Sequence, residues 1–259
     1  MCGIFGILPE RTLKPQQLSR ARKLFTYLAV ANSSRGKDAA GGAVIQEGGN
    51  GSMFKLNIPS TALIGQRNWF NLMQRATPRT AMWMGHTRYA TCGANTADNA
   101  HPFVFEHAEH GRMYGAHNGM LWNHEKINGE DTNVHEVDSA CLIWHLSQYP
   151  DSKWPELLAG VAGSFALSLY RNGKAYLVRN YGSPLYITYV PILNSWVYAS
   201  EGGAIKHCVA ACGMRTGEIK EIPDDTLYSI PDLRIKDCET RQVPASSVFP
   251  EAWGGCYGG

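Results

Sequence analysis

The 259 residues are 44% hydrophobic and 18% charged, with 24 basic against 22 acidic side chains and a net charge of +2. This is the profile of a folded globule long enough to bury a sizeable core; disordered and fibrous classes are excluded, and a near-neutral charge gives no electrostatic case for a nucleic-acid or membrane partner. No apolar run reaches the ~20 residues of a membrane span. The opening MCGIFGILPE also lacks the basic n-region of a signal peptide, so the seven cysteines are read as reduced thiols of a cytoplasmic protein.

Along the chain, MCGIFGI reads as a strand ending at Pro9. Pro15–Ala31 carries Leu18, Ala21, Phe25 and Leu28 at helical spacing. The glycines of SSRGKDAAGGAVIQEGG then turn into a short strand at Ala43–Gln46, and a second helix is expected between Thr61 and Arg75. Ala81–His86 and Met113–Ala116 read as strands on either side of a long polar loop, followed by a helix over Val137–Tyr149. SFALSLY and KAYLVRN form a hairpin about Asn172-Gly173, because Asn-Gly tolerates the positive φ of a tight turn. LYITYV and SWVYAS make another strand pair, and short strands follow near Glu218–Ile222 and Thr226–Ile230. Between them, AIKHCVAAC brings Cys208, Cys212 and His207 together but lacks a second ligand pair, so it is read as a packed helix and no metal is expected. Many antiparallel strands with helices between them, no repeat and no clear linker predict one layered α+β domain. The expected boundaries are 1–240 for the domain and 241–259 for a glycine- and aromatic-rich tail ending VFPEAWGGCYGG.

Four polar clusters fall where strands should end: Cys2-Gly3; His86–Thr91 with the later Asn99–Phe103; HNGM from His117; and EVDS from Glu136. Singly, each has a structural reading: Asn-Gly as a hairpin turn, Asp138 as a helix cap, Cys2 as a small buried residue. Together they supply a nucleophile, hydrogen-bond donors and opposite charges. A cysteine directly behind Met1 adds a specific possibility. Removal of Met1 would leave a thiol and an α-amine on one carbon, a nucleophile with its own base.

In that order, MCGIFGI, RGKDAAGGAV, GHTRYATCGANTADNAHPF, AHNGML and EVDSA resemble the class II glutamine amidotransferases, the N-terminal nucleophile family of glutaminase domains. The resemblance weakens through GSFALSLY, RNYGSPLYI and YASEG. It implies a four-layer αββα sandwich of two antiparallel sheets flanked by helices. It also implies Cys2 as nucleophile, Asn118 and Gly119 as oxyanion donors, and L-glutamine as substrate. Arg88 would take the substrate α-carboxylate and Asp138 its α-ammonium. Tyr89 and Thr91 would line the pocket, with Arg35, Asp38 and His86 in support. No cofactor is implied. Cys92 stands where many relatives have histidine, and it is read as a packed small residue. In the family a synthase domain follows the glutaminase half, whereas only a short tail follows here. The resemblance therefore implies a glutaminase subunit handing ammonia to a separate synthase. The alternatives are a γ-glutamyl amide hydrolase acting alone and a catalytically silent glutamine-binding scaffold.

Overall fold

The computed structural model describes residues 2–127 and 135–244. Met1, Cys256 and the VFPEAWGGCYGG tail lie outside the described residues. The chain begins with β1 (Gly3–Pro9), α1 (Pro15–Ala31), β2 (Ala39–Gln46), β3 (Gly51–Leu56), α2 (Ser60–Leu63), α3 (Arg67–Arg75) and β4 (Thr80–Arg88). Next come β5 (Phe103–His107), β6 (Gly111–Leu121), α4 (His124–Ile127), α5 (Asp138–Ser147) and α6 (Trp154–Ala159). Then β7 (Gly163–Arg171), β8 (Lys174–Arg179), β9 (Tyr186–Val190), β10 (Ser195–Ala199), α7 (Gly202–Ala211), β11 (Lys220–Glu221), β12 (Thr226–Pro231) and β13 (Glu239–Gln242) complete the fold.

The strands form two antiparallel sheets, ordered β11-β9-β10-β1-β4-β2-β3 and β13-β12-β8-β7-β6-β5. Strand alternation explains their stacking. In β1, Ile4 and Leu8 face the second sheet, while Phe5 and Ile7 face the helices. The inter-sheet core continues through Met82 and Met84 of β4 to Tyr114 and Ala116 of β6 and Ala166 and Tyr170 of β7. On one outer face, α1 sets Leu24, Phe25 and Leu28 against the seven-stranded sheet, joined by Trp69 of α3 and Ile205 and Val209 of α7. On the other, α5 and α6 pack Leu142, Leu146 and Trp154 onto Leu167 and Leu169. The four expected layers are present.

Helix α1 has the bounds its apolar spacing predicts, with Pro15 in the first turn, where no intrahelical N–H is needed. The β7–β8 hairpin turns at Asn172 and Gly173, both at positive φ. Three expectations change. The single helix over Thr61–Arg75 is two, because α2 ends at Leu63 and the chain re-enters helix only at Arg67. The long polar loop contains β5, an edge strand that alternates buried Phe103 with more exposed neighbours and pairs with β6. Finally, β13 pairs with β12 through Arg241 and Gln242, so the sheet runs past position 240.

Candidate active site

Strand β1 lies between β4 and β10, with Gly3 opposite Thr87. Cys2 directly precedes it and so emerges at the end of a central ladder, beside the end of β4. The Tyr89 N–H donates to Cys2 Sγ at 3.3 Å, and the thiol reaches the Tyr89 carbonyl at 3.5 Å. Arg35 fixes the other side of Cys2: its Nε donates to the Cys2 carbonyl at 2.8 Å, and its Nη1 pairs with Glu201 at 2.8 Å. Burial pushes the Cys2 thiol up, outweighing the Tyr89 hydrogen bond that favours the thiolate. A thiol held neutral in this way needs a base before it can attack.

Beside Cys2 opens a cavity of about 270 Å³, lined also by Arg35, Tyr89, Thr91, Asn118, Gly119 and Met120. Ser164 and the Gly182–Pro184 turn close its far side. Asn118 and Gly119 belong to β6 of the second sheet, so the cavity sits where the two sheets meet. Ser200 joins the sheets here. Its Oγ accepts the Ile4 N–H at 3.0 Å and the Asn118 Nδ2 hydrogen at 3.3 Å. Gly119 has φ +154°, and a Cβ there would collide with the Ser164 carbonyl. Only glycine brings its backbone this close to β7.

Arg88 and Asp138 are buried and do not line the cavity. Arg88 donates Nη1 to the Ala94 carbonyl at 3.1 Å and Nη2 to the Cys92 carbonyl at 2.6 Å. Asp138 is the first residue of α5; its Oδ2 accepts the Leu121 N–H at 3.0 Å and its Oδ1 the Ser139 N–H at 2.7 Å. Asp38 closes the turn after β4, taking the Ala90 N–H on its Oδ2 at 2.7 Å. Tyr89 is 53% exposed at the cavity mouth. Cys92 does not line the cavity; its Sγ points to the Glu136 carbonyl at 3.7 Å.

His86 belongs to a buried layer of three imidazoles beneath the site. Its ring stacks on His101 with centroids 3.8 Å apart, and its Nε2 donates to the His117 carbonyl at 2.9 Å. His101 Nδ1 accepts the His117 N–H at 3.3 Å, and His117 pairs through Nδ1 with Ser139 Oγ at 2.8 Å. Burial lowers all three, His86 to about 3, so each imidazole stays neutral. The layer joins β4 and β6 to the start of α5. His101 and His117 were visible in the sequence only as members of motifs. Ser164, Ser200 and Glu201 stand in the sequence only within the weaker stretches GSFALSLY and YASEG, with no role attached; a sequence carries no sign that a serine after a strand will bridge two sheets.

Two facing antiparallel sheets, helices on both outer faces and a cysteine at the head of a central strand define the N-terminal nucleophile hydrolase fold. The comparisons narrow this further. No protein-family model matches the chain. The sequence is 30% identical over 200 residues to the glutamine–fructose-6-phosphate aminotransferase (isomerizing) of Legionella pneumophila, covering 71% of this chain and 30% of that protein. It is 26% identical over 268 residues to the Staphylococcus aureus protein of the same name, covering 97% of this chain and 40% of that one. The chain thus spans well under half the length of either relative. The Bacillus subtilis glutamine phosphoribosylpyrophosphate amidotransferase, solved with ADP and GMP, superposes with a TM-score of 0.71 over 93% of this chain and 49% of that one; at 21% identity the likeness is one of fold. The chain belongs to the class II glutamine amidotransferases, as a domain homologous to their glutaminase portion.

Proposed function

We propose that this chain hydrolyses the side-chain amide of L-glutamine through a γ-glutamyl thioester on Cys2 and passes the ammonia to a separate synthase. The observation that carries the reading is the convergence of Cys2, Asn118 and Gly119 on one cavity. With Met1 removed, the Cys2 α-amine takes the thiol proton; its ordinary pKa of roughly 7.7–8.0 suits that task near neutral pH. Sulfur then attacks the amide carbon. The oxyanion that develops is met by the Gly119 N–H and by the Asn118 side-chain amide, which exchanges its bond to Ser200 Oγ for one to the oxyanion. The carbon–nitrogen bond breaks as the α-ammonium returns its proton to the departing ammonia. Water, deprotonated by the same amine, attacks the thioester, and glutamate leaves as the thiol is restored.

At the other end of the substrate, Arg88 and Asp138 hold the α-carboxylate and α-ammonium, with Tyr89 and Thr91 beside them. A guanidinium fork matches the two carboxylate oxygens, and the opposed charges select a free amino acid over a glutamine within a peptide. Arg35 and Asp38 fix the backbone on either side of the nucleophile. His86 supports β4 from below. Reduced thiols suit a cytoplasmic setting, and no helix among the described residues is long and apolar enough to cross a membrane.

Intact-mass spectrometry before and after an electrophilic diazoketone analogue of glutamine tests the reading, with the modified peptide mapped. The expected result is loss of the Met1 mass and one adduct on Cys2. Retained Met1, or an adduct elsewhere, overturns it. Ammonia release from glutamine, against amine release from γ-glutamyl conjugates, separates this function from the amide-hydrolase alternative.

A further inference from the structure

Glu136 stands two residues before Asp138 and outside the cavity, yet it is the point where the Arg88 segment and the start of α5 are joined. Its Oε1 accepts the Ala94 N–H at 2.6 Å and its Oε2 the Asn99 Nδ2 hydrogen at 2.8 Å. Asn99 Nδ2 also donates to the Ala94 carbonyl at 3.0 Å, and that same carbonyl receives Arg88 Nη1. The Glu136 backbone joins in, since its carbonyl receives the Cys92 thiol. Gly93, at φ +72°, packs so closely on Val137 that a Cβ would clash. From the opposite side, Lys55 Nζ donates to the carbonyls of Asp98 at 2.9 Å and Ala100 at 2.6 Å, holding the far end of the same loop.

We propose that Glu136 is a positioning residue for substrate recognition: it holds the 91–99 loop against the start of α5 and so sets the separation between Arg88 and Asp138. The inference rests on the reading of those two residues as the glutamine clamp. A clamp for an amino-acid head group works only at a fixed separation, because a carboxylate and an ammonium on one carbon cannot adapt to a widened site. Hydrogen bonds to an ionised carboxylate are stronger than neutral ones, which suits a loop that has little burial of its own to hold it. Asn99 receives a role by the same geometry, as the side chain that carries the Glu136 contact to the Arg88 partner.

The test compares wild type with Glu136→Ala, Glu136→Gln and Lys55→Met. Readouts are the KM for glutamine, kcat, Cys2 labelling by the diazoketone analogue, and Cys2 labelling by iodoacetamide, which has no amino-acid head group. Loss of charge-assisted bonds in Glu136→Ala is expected to raise KM and slow analogue labelling about tenfold, leaving kcat and iodoacetamide labelling within about threefold. Glu136→Gln, which keeps one acceptor, should fall between. Lys55→Met should shift KM in the same direction by about threefold. If Glu136→Ala does not fold, the other two variants decide. Unchanged KM, or parallel losses in kcat and in both labelling rates, overturns the positioning role. Wild type that labels with iodoacetamide but not with the glutamine analogue overturns the clamp reading beneath it.

Discussion

Cys2 stands at the head of one ladder that continues into the core and Asn118-Gly119 lie within another, whereas the partners of Arg88 sit on a loop. On the nucleophile side, β1 is flanked by β4 and β10, β6 is paired with β7, and Ser200 ties the two sheets together. On the head-group side, Arg88 ends β4 but donates to Cys92 and Ala94; the side chains of Glu136 and Asn99 hold Ala94, while Lys55 holds the far end of the loop at Asp98 and Ala100. The difference follows the demands on each half. Covalent attack needs reacting atoms placed within a fraction of an ångström, which continuous sheet supplies at low cost in flexibility. The head-group side must hold a fixed separation and still let the substrate in, and there hydrogen bonds across a loop stand in for a continuous ladder.

The sharpest way to break the strand-borne half is Asn118→Ala. On the proposed mechanism this removes an oxyanion donor and should lower kcat by about 10²–10³, or about 2.7–4 kcal/mol, with KM for glutamine nearly unchanged. The complementary change on the loop-borne half is Arg88→Lys. It keeps the charge but loses the planar fork and one of the two carbonyl contacts, so kcat/KM should fall about 10–100-fold, mostly through KM. Steady-state kinetics on the pair checks the division of labour. A fall in kcat alone for Arg88→Lys would mean that the two halves are not separable.

Acid should reach the strand-borne half first, through the histidine layer. His86, His101 and His117 are neutral in the fold, each with its pKa lowered by burial, His86 to about 3. In the unfolded chain they protonate near the ordinary value of about 6.5, so below that pH the unfolded state binds more protons. Stability from these groups is therefore present above pH 6.5 and is lost as pH falls. Each contributes a slope of up to about 1.4 kcal/mol per pH unit, until its own folded-state pKa is reached. Denaturant unfolding between pH 7.5 and 5 measures this. A flat profile would mean that the layer opens to solvent before global unfolding.

Much of this was legible in the chain itself. Helix α1, the β7–β8 hairpin and the strands around Cys2 follow from local spacing, because a stripe of Leu and Phe or an Asn-Gly pair needs no distant partner to be recognised. The motif residues were equally plain in the sequence, although their roles came with the family resemblance. What tertiary structure alone decided is how these pieces meet. The edge strand β5 was hidden in a polar stretch because half of it faces solvent, and the break between α2 and α3 carries no strong stop signal. The pairing of Ser200 with Asn118, of Glu201 with Arg35 and of Glu136 with Asn99 links residues 82, 166 and 37 positions apart. A sequence read locally records which side chains are present. Their distances are set by the stacking of two sheets, and that arrangement belongs to the whole chain.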